Sequence, residues 1–307
     1  MMTEQFTITV PGSTSNLGAG FDSIGLALNL FLKIRCKKAD RWRFIPLTQG
    51  LRGIPEGKDN MIYQSALYVA HQTGYDDLPP YEVELESDIP LARGLGSSGA
   101  AVAAGVELAN QILNLQLSEH QKVLYATKME GHPDNVAPSI VGGWVIAYYD
   151  QQNLSYIKTN AGKHRVAFAG IIPNFELETK TSREILPASL SFKSSVEASA
   201  IANVSVAALF QEDFPLLGKM MDQDLFHQPY RKMFIPHYEK MKHEMEQHGA
   251  YGTFLSGAGP TMLSMFDDET AEKRIDQWAK KYPEFNWEVF HVEPHGLKVD
   301  TFDVSAI

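Results

Sequence analysis

The chain has 307 residues, 44% of them hydrophobic, and a formal net charge of -10. That is enough apolar material for one large or two ordinary domains, and the acidic balance excludes a nonspecific nucleic-acid surface, which needs clustered Lys and Arg. The single cysteine, Cys36, can form no intramolecular disulfide and no multi-cysteine metal site, which fits a reducing compartment. No run of about 18 apolar residues could span a bilayer. The opening MMTEQFTITV lacks the basic and apolar regions of a secretory signal, so a soluble, cytoplasmic protein is expected. A phosphorylated ligand stays compatible with the charge, because backbone amides, helix dipoles and a divalent cation can hold phosphate.

In chain order, FTITV (6–10) alternates as a half-buried strand, PGSTSNLGAGFD reads as a loop dense in Gly and Ser, and apolar residues resume over 24–34 as a second strand. Residues 60–73 carry helical spacing at Ile62, Ala66 and Val69, with Gly74 as a stop. YEVELESDI (81–89) alternates as a strand. Then IPLARGLGSSGAAVAAG (89–105) runs from a glycine and serine loop into a helix over 99–114. A second helix opens at Ser118, where Gln121 completes a capping box, and stops near Gly131.

After GGWVIAYYD, the polar stretch QQNLSYIKTNAGKH (151–164) reads as a boundary that divides the chain into units 1–158 and 159–307. The second unit opens with a strand over 165–173. Helical segments at 194–210, 213–226 and 235–248 follow, with strands in YGTFLS, TMLSMF and WEVFHV. There is no internal repeat and no low-complexity tract. Elements mixed in this order predict an α+β fold in two layered units.

Gly94, Gly96 and Gly99 form a G-x-G-x-x-G string, which is shared by several nucleotide-binding architectures. A Rossmann turn follows its strand directly and leads to a second strand, whereas here a loop intervenes and the Ser118 cap occupies the place of that strand. A Walker loop needs a Lys before the hydroxyl residues, and a protein-kinase glycine loop is followed by a strand rather than an alanine-rich helix. The residues themselves allow close backbone approach at Gly94 and Gly96, and a helix start at Ser97 and Ser98 whose free amides face an anion. The competing reading is an ordinary capped helix start.

Taken together, PLARGLGSSGAAVAAG (90–105), TSNLGAGFDSIGLAL (14–28) and TFLSGAGPTML (253–263) resemble the GHMP small-molecule kinases, which hold ATP phosphates on P-x-x-x-G-L-G-S-S. Alone, SGAGP would pass as a hairpin turn. The resemblance implies a two-domain GHMP fold, with an N-terminal ribosomal-protein-S5-like domain and a C-terminal ferredoxin-like domain. It implies nucleotide contacts at Pro90, Leu91, Ala92, Arg93, Gly94, Leu95, Gly96, Ser97, Ser98, Gly99, Ala100 and Ala101, joined by Gly257 and Asn60.

Four further stretches, SNLGAGFD (15–22), EGHPDNVAPSIVGG (130–143), ETKTSREILP (178–187) and LFHQPYR (225–231), resemble the branch of the family that phosphorylates L-homoserine in threonine biosynthesis. By resemblance Asn16, Asp22 and Asp134 surround an ammonium group, Arg183 and Arg231 clamp a carboxylate, Asn135 approaches the hydroxyl, and Thr179 lies near the phosphates or the acceptor. Glu130 is an acid in the last turn of a helix, where the macrodipole disfavours it. The resemblance makes it a Mg²⁺ ligand with Ser98. ATP, L-homoserine, Mg²⁺, a homodimer and direct in-line transfer are the corresponding expectations, with Asp134 as a base left open. The plain alternatives are turn formers at Asn16 and Asp22, an N-cap at Asp134 and surface charges at the arginines. His132 and His227 are assigned no chemistry. A kinase of another small alcohol and a non-catalytic nucleotide sensor are the competing functions.

Overall fold

A computed structural model of the chain describes residues 5–162, 165–177 and 179–301. β1 (Gln5–Asn16) and β2 (Gly20–Lys38) pair antiparallel and form the spine of the first sheet. The stretch PGSTSN, expected as loop, is therefore strand, and the connection shrinks to residues 17–19. Small side chains permit this. A Cβ at Gly12 would stand 2.9 Å from the carbonyl oxygen of Leu95, and Ser13 N donates to that same oxygen at 3.2 Å. The strand has glycine at position 12 because another segment lies directly on it there.

β3 (Arg43–Pro46), α1 (Met61–Gln72) and β4 (Tyr81–Ser87) follow, with β3 parallel to β4 and β4 antiparallel to β2. Next come α2 (Ser97–Ile112), α3 (Glu119–Glu130), α4 (Val136–Val141), β5 (Trp144–Tyr149) and β6 (Leu154–Thr159). The Ser118 capping box forms, and Gly131 ends α3 in the left-handed conformation. β6 lies in the polar stretch expected as a linker. It is an edge strand paired only with β5, with Ser155, Ile157 and Lys158 exposed, so it shows no buried face to a sequence reading.

The remaining elements are β7 (Val166–Pro173), α5 (Thr179–Glu184), α6 (Phe192–Gln211), α7 (Phe214–Met221), α8 (Gln228–Arg231), α9 (Tyr238–Gln247), β8 (Gly252–Leu255), β9 (Met262–Asp267), α10 (Asp268–Lys281), β10 (Phe285–His291) and β11 (Lys298–Thr301). The second sheet has the order β10-β7-β9-β8 and is antiparallel throughout. In the first sheet the order is β11-β1-β2-β4-β3, with β5 also on β2. The second half of the chain, 159–307, thus returns one strand to the first sheet.

Two apolar clusters result. α9 and α10 bury Met241, Met245, Ala271 and Trp278 against Ala167, Ala169 and Ile171 of β7. The other side of β7, with Val166 and Phe168, joins Phe254 and Leu263 in the cluster built on β1, β2 and the first helices. A strand covered on both faces is buried along its whole length. α2 approaches α1 closely because Gly105 is bare, since a Cβ there would lie 2.5 Å from Ser65 Cβ. Among the described residues no helix is long and apolar enough to cross a membrane.

Candidate active site

The glycine loop joins β4 to α2 through three left-handed residues, Ala92, Gly94 and Gly96, with φ of 51, 77 and 77°. At Gly94 a Cβ would collide with the carbonyl oxygen of Ser256, and at Gly96 with Ser13. Both positions therefore need glycine for conformation and for space. The loop is held from three sides: Ser256 Oγ donates to Gly94 O at 2.5 Å, Leu177 N to Ala92 O at 3.4 Å, and Ser13 N to Leu95 O. Gly96 caps α2 with no side-chain bond, and the first helical hydrogen bond runs from Ala100 N to Gly96 O at 2.8 Å. The amides of Ser97, Ser98 and Gly99 precede it, and these residues line a cleft of about 520 Å³. A fixed, uncapped helix N-terminus opening on a cleft is an anion site.

The SGAGP string is both a turn and a wall. Ser256 N donates to Thr261 O at 2.9 Å, closing the β8 to β9 connection, while Gly257, Ala258 and Gly259 line the cleft. A second cavity of about 280 Å³ adjoins and shares Ala92, Ser97 and Ser98 with the first. Its walls are mainly apolar, including Leu51, Ile54, Leu85, Ile89, Leu91 and Ala101. Asn60 lies at its edge, but its amide is committed to structure: Oδ1 caps α1 by accepting from Ile62 N at 2.9 Å, and Nδ2 donates to Pro55 O at 2.8 Å. Pro90, Arg93, Leu95 and Ala100 line neither cavity. Leu95 and Ala100 are buried, and Arg93 pairs with Glu176 at 3.3 Å.

Glu130 ends α3 and faces the cradle, where its Oε1 accepts from Ser98 Oγ at 2.7 Å. A hydroxyl and a carboxylate at the mouth of a phosphate cradle make an oxygen donor pair that suits a hard divalent cation.

The other end of the cleft is charged. Asn16 and Asp22 both take left-handed φ, 71 and 53°. Asn16 Oδ1 accepts from Asp22 N at 3.0 Å and its Nδ2 donates to Gly257 O at 3.0 Å, so Asn16 ties the β1 to β2 turn to the SGAGP turn. Asp22 receives both ends of the Arg183 guanidinium, at 2.7 and 3.0 Å. Asp134 is buried and its Oδ1 meets His132 Nδ1 at 2.5 Å. It caps nothing, since the α4 N-cap is Asn135. Burial works against a charged His132, yet its hydrogen bond to Asp134 and the charges of Asp134 and Asp22 raise its pKa above the ordinary 6.5. Asp22, His132 and Asp134 offer ligand atoms within 4.8 Å of one another, a corner that favours a cationic group.

Arg231 is 2% exposed. Its Nε donates to Ser182 O at 3.1 Å and its Nη1 to Gly257 O at 3.0 Å, while it still lines the cleft. Burial, helped by the charge of Arg183, lowers its pKa to about 10. Both guanidinium groups lie over the Phe21 ring, at 5.6 Å for Arg183 and 5.3 Å for Arg231. Asn135 sits between the two ends, its Oδ1 accepting from Ser13 Oγ at 3.4 Å. Thr179 opens α5, and its side chain lies outside the described residues.

Thus Asn16, Asp22, Asp134, Asn135, Arg183 and Arg231 share one cleft with Ser98 and Glu130. Sequence reasoning set His132 aside and passed over Ser15, Phe21 and Lys180. The H-x-D spacing of His132 and Asp134 is the one local signal that could have found the first; the rest depend on chain closure.

Residues 60–143 match the family described as GHMP kinases N terminal domain, and residues 205–284 match GHMP kinases C terminal. The chain belongs to the GHMP kinase family, the class of ATP-using small-molecule kinases. Within that family its relatives are homoserine kinases. It is 46% identical over 302 residues to the homoserine kinase of Bacillus licheniformis, covering 98% of each chain. To that of Staphylococcus epidermidis it is 41% identical over 302 residues, covering 97% of each. The structure of a putative homoserine kinase from Listeria monocytogenes superposes with a TM-score of 0.83 at 37% identity, covering 97% of this chain and 100% of that one. Homoserine kinase from Cytophaga hutchinsonii gives a TM-score of 0.85 at 28% identity, covering 98% of each.

Proposed function

We propose that the chain transfers the γ-phosphoryl group of ATP to the side-chain hydroxyl of L-homoserine, giving O-phospho-L-homoserine and ADP. The observation that carries this reading is the single cleft with an uncapped α2 N-terminus at one end and the Asp22, Arg183 and Arg231 cluster at the other. Phosphates suit the first end. A zwitterion, with one ammonium and one carboxylate on the same carbon, suits the second, because acids and a bidentate arginine stand side by side there. The apolar cavity beside Ser97 and Ser98 has the character of a base pocket.

In the reaction the acceptor hydroxyl oxygen bonds to the γ-phosphorus as the bond to the β–γ bridging oxygen breaks, ADP leaves with that oxygen, and the hydroxyl proton passes to the transferred phosphoryl group and on to solvent. Such transfers depend mainly on alignment and charge stabilisation. The Ser97, Ser98 and Gly99 amides hold the phosphates. Asn135 orients the hydroxyl. Asp134 is engaged by His132, which favours direct attack over base catalysis by that carboxylate. Ser98 and Glu130 would hold Mg²⁺, which when bound supplies charge neutralisation on the phosphates.

The test is coupled ADP release with MgATP against L-homoserine, L-serine, mevalonate and galactose. Turnover confined to homoserine is the expected result. Turnover with another acceptor replaces the substrate assignment, and ATP binding without any turnover replaces the kinase with a sensor.

A further inference from the structure

The cleft wall between the glycine loop and the SGAGP turn is the end of β1, and its polar side chains are almost all engaged. Ser13 Oγ donates to Asn135, Thr14 Oγ1 pairs with Ser256 Oγ at 2.8 Å, and Asn16 holds Gly257 O and Asp22 N. Ser15 differs. It is 1% exposed, it lines the cleft, and its Oγ is buried without a hydrogen-bond partner. Among the described residues, no other cleft-lining side chain carries a buried polar atom left in that state.

The hydroxyl sits at the seam of two turns. A Cβ on Gly257 would lie 3.4 Å from Ser15 Oγ and 3.5 Å from Gly94 O, so the Ser15 hydroxyl, the glycine loop and the SGAGP turn meet at one place. The backbone cannot turn it elsewhere, because Ser15 O accepts from Gly257 N at 3.2 Å. Buried hydroxyls are normally paired within the protein, and one held open beside a phosphate cradle has its partner in the ligand. Of the acceptor-end charges, Arg231 reaches this seam, and its Nη1 is already engaged by Gly257 O. The Gly94 and Gly257 backbone beside Ser15 Oγ leaves room to admit a phosphoryl group.

We propose that the Ser15 hydroxyl donates a hydrogen bond to a phosphoryl oxygen of the nucleotide at the point of transfer, making Ser15 a further catalytic residue. This rests on the kinase reading of the cleft. A fixed donor aimed at oxygens whose charge changes during transfer lowers the barrier more than it strengthens ground-state binding.

Ser15→Ala tests it, with kcat and the homoserine KM measured separately and the melting temperature of the free protein recorded. The free variant should melt at the same temperature or higher, since it loses no hydrogen bond, while kcat falls about tenfold or more and the homoserine KM stays within about twofold. Ser15→Cys, which keeps a weak donor, should recover part of kcat. A kcat of Ser15→Ala within about twofold of the parent, a loss confined to the homoserine KM, or a lowered melting temperature would each overturn the assignment. If the parent protein phosphorylates a different acceptor, the homoserine reading fails and the Ser15 comparison is made on that acceptor. If it phosphorylates none, both fail.

Discussion

Arg183 and Asp22, 161 residues apart in the chain, meet as a two-point ion pair with nitrogen to oxygen distances of 2.7 and 3.0 Å. Each neutralises the group expected to receive the opposite end of an amino acid. A zwitterion entering the cleft can replace the pair in one exchange, its carboxylate taking Arg183 and its ammonium taking Asp22, with no net change in charge. Arg183→Ala should therefore raise the homoserine KM by about tenfold or more. It should change stability by no more than about 1 kcal/mol, since the pair is over a third exposed on each side. Steady-state kinetics with a parallel melting curve check this, and an unchanged KM removes Arg183 from the carboxylate site.

Arg231 behaves differently because it is buried. Its removal leaves Ser182 O without its side-chain donor, Gly257 O with Asn16 Nδ2 alone, and Asp224 without a neighbouring cation. Arg231→Ala should cost on the order of 3 kcal/mol in urea unfolding, in addition to weakening the acceptor site. A variant with the parent's unfolding midpoint would show that this guanidinium serves the ligand alone.

His227 supplies a pH dependence. Its Nε2 lies 2.9 Å from Gly18 O, which fixes the proton on Nε2, and its Nδ1 faces Arg231 Nη1 at 3.4 Å as an acceptor. Burial first, aided by Arg231, depresses its pKa to about 4 against the pull of Asp224. The unfolded chain binds this proton near 6.5, so the stabilisation is complete above that pH and is lost as the pH falls toward 4. His132, with its pKa raised, acts in the opposite sense: its contribution is full below 6.5 and fades above it. Urea midpoints measured from about pH 7.5 to about pH 4.5 should fall on the acid side, and His227→Gln should flatten that fall. An equally steep acid limb in the variant would assign it to other groups.

Glu130 and Ser98 touch each other in an exposed position. Glu130→Gln should leave the melting temperature nearly unchanged and raise the Mg²⁺ concentration needed for half-maximal turnover by about tenfold or more. A Mg²⁺ titration superimposable on that of the parent would move the cation to other ligands.

What the sequence revealed follows the range of the interactions. α3 was read closely because its capping box and its terminal Gly131 are local signals. α2 begins at Ser97, where the loop reading puts the helix start and two residues ahead of the 99–114 segment, since Ser97 and Ser98 themselves form its uncapped first turn. The small-residue end of β1, PGSTSN, reads as loop because the groups that make it strand and wall, Leu95 and Ser256, come from distant parts of the chain. α10 was passed over although Asp267 caps it and Lys280 and Lys281 close it, because so little of it is buried. In the site, residue types and motifs pointed to the charged groups. They could not show that Arg183 closes on Asp22, that Asn60 is consumed by a helix cap, or that His132 holds Asp134.

The pairing of β11 with β1, in which Phe6 stands opposite Thr301, gives the fold an order in time. A ribosome delivers β1 long before β11. Until β11 emerges, the strand that ends in Ser13, Ser15 and Asn16 keeps one edge unpaired, and bare strand edges invite other chains. A product stopped short of Lys298 would carry every residue of the cleft and still present that edge, so loss of β11 should appear first as self-association in the cell rather than as a defect in chemistry.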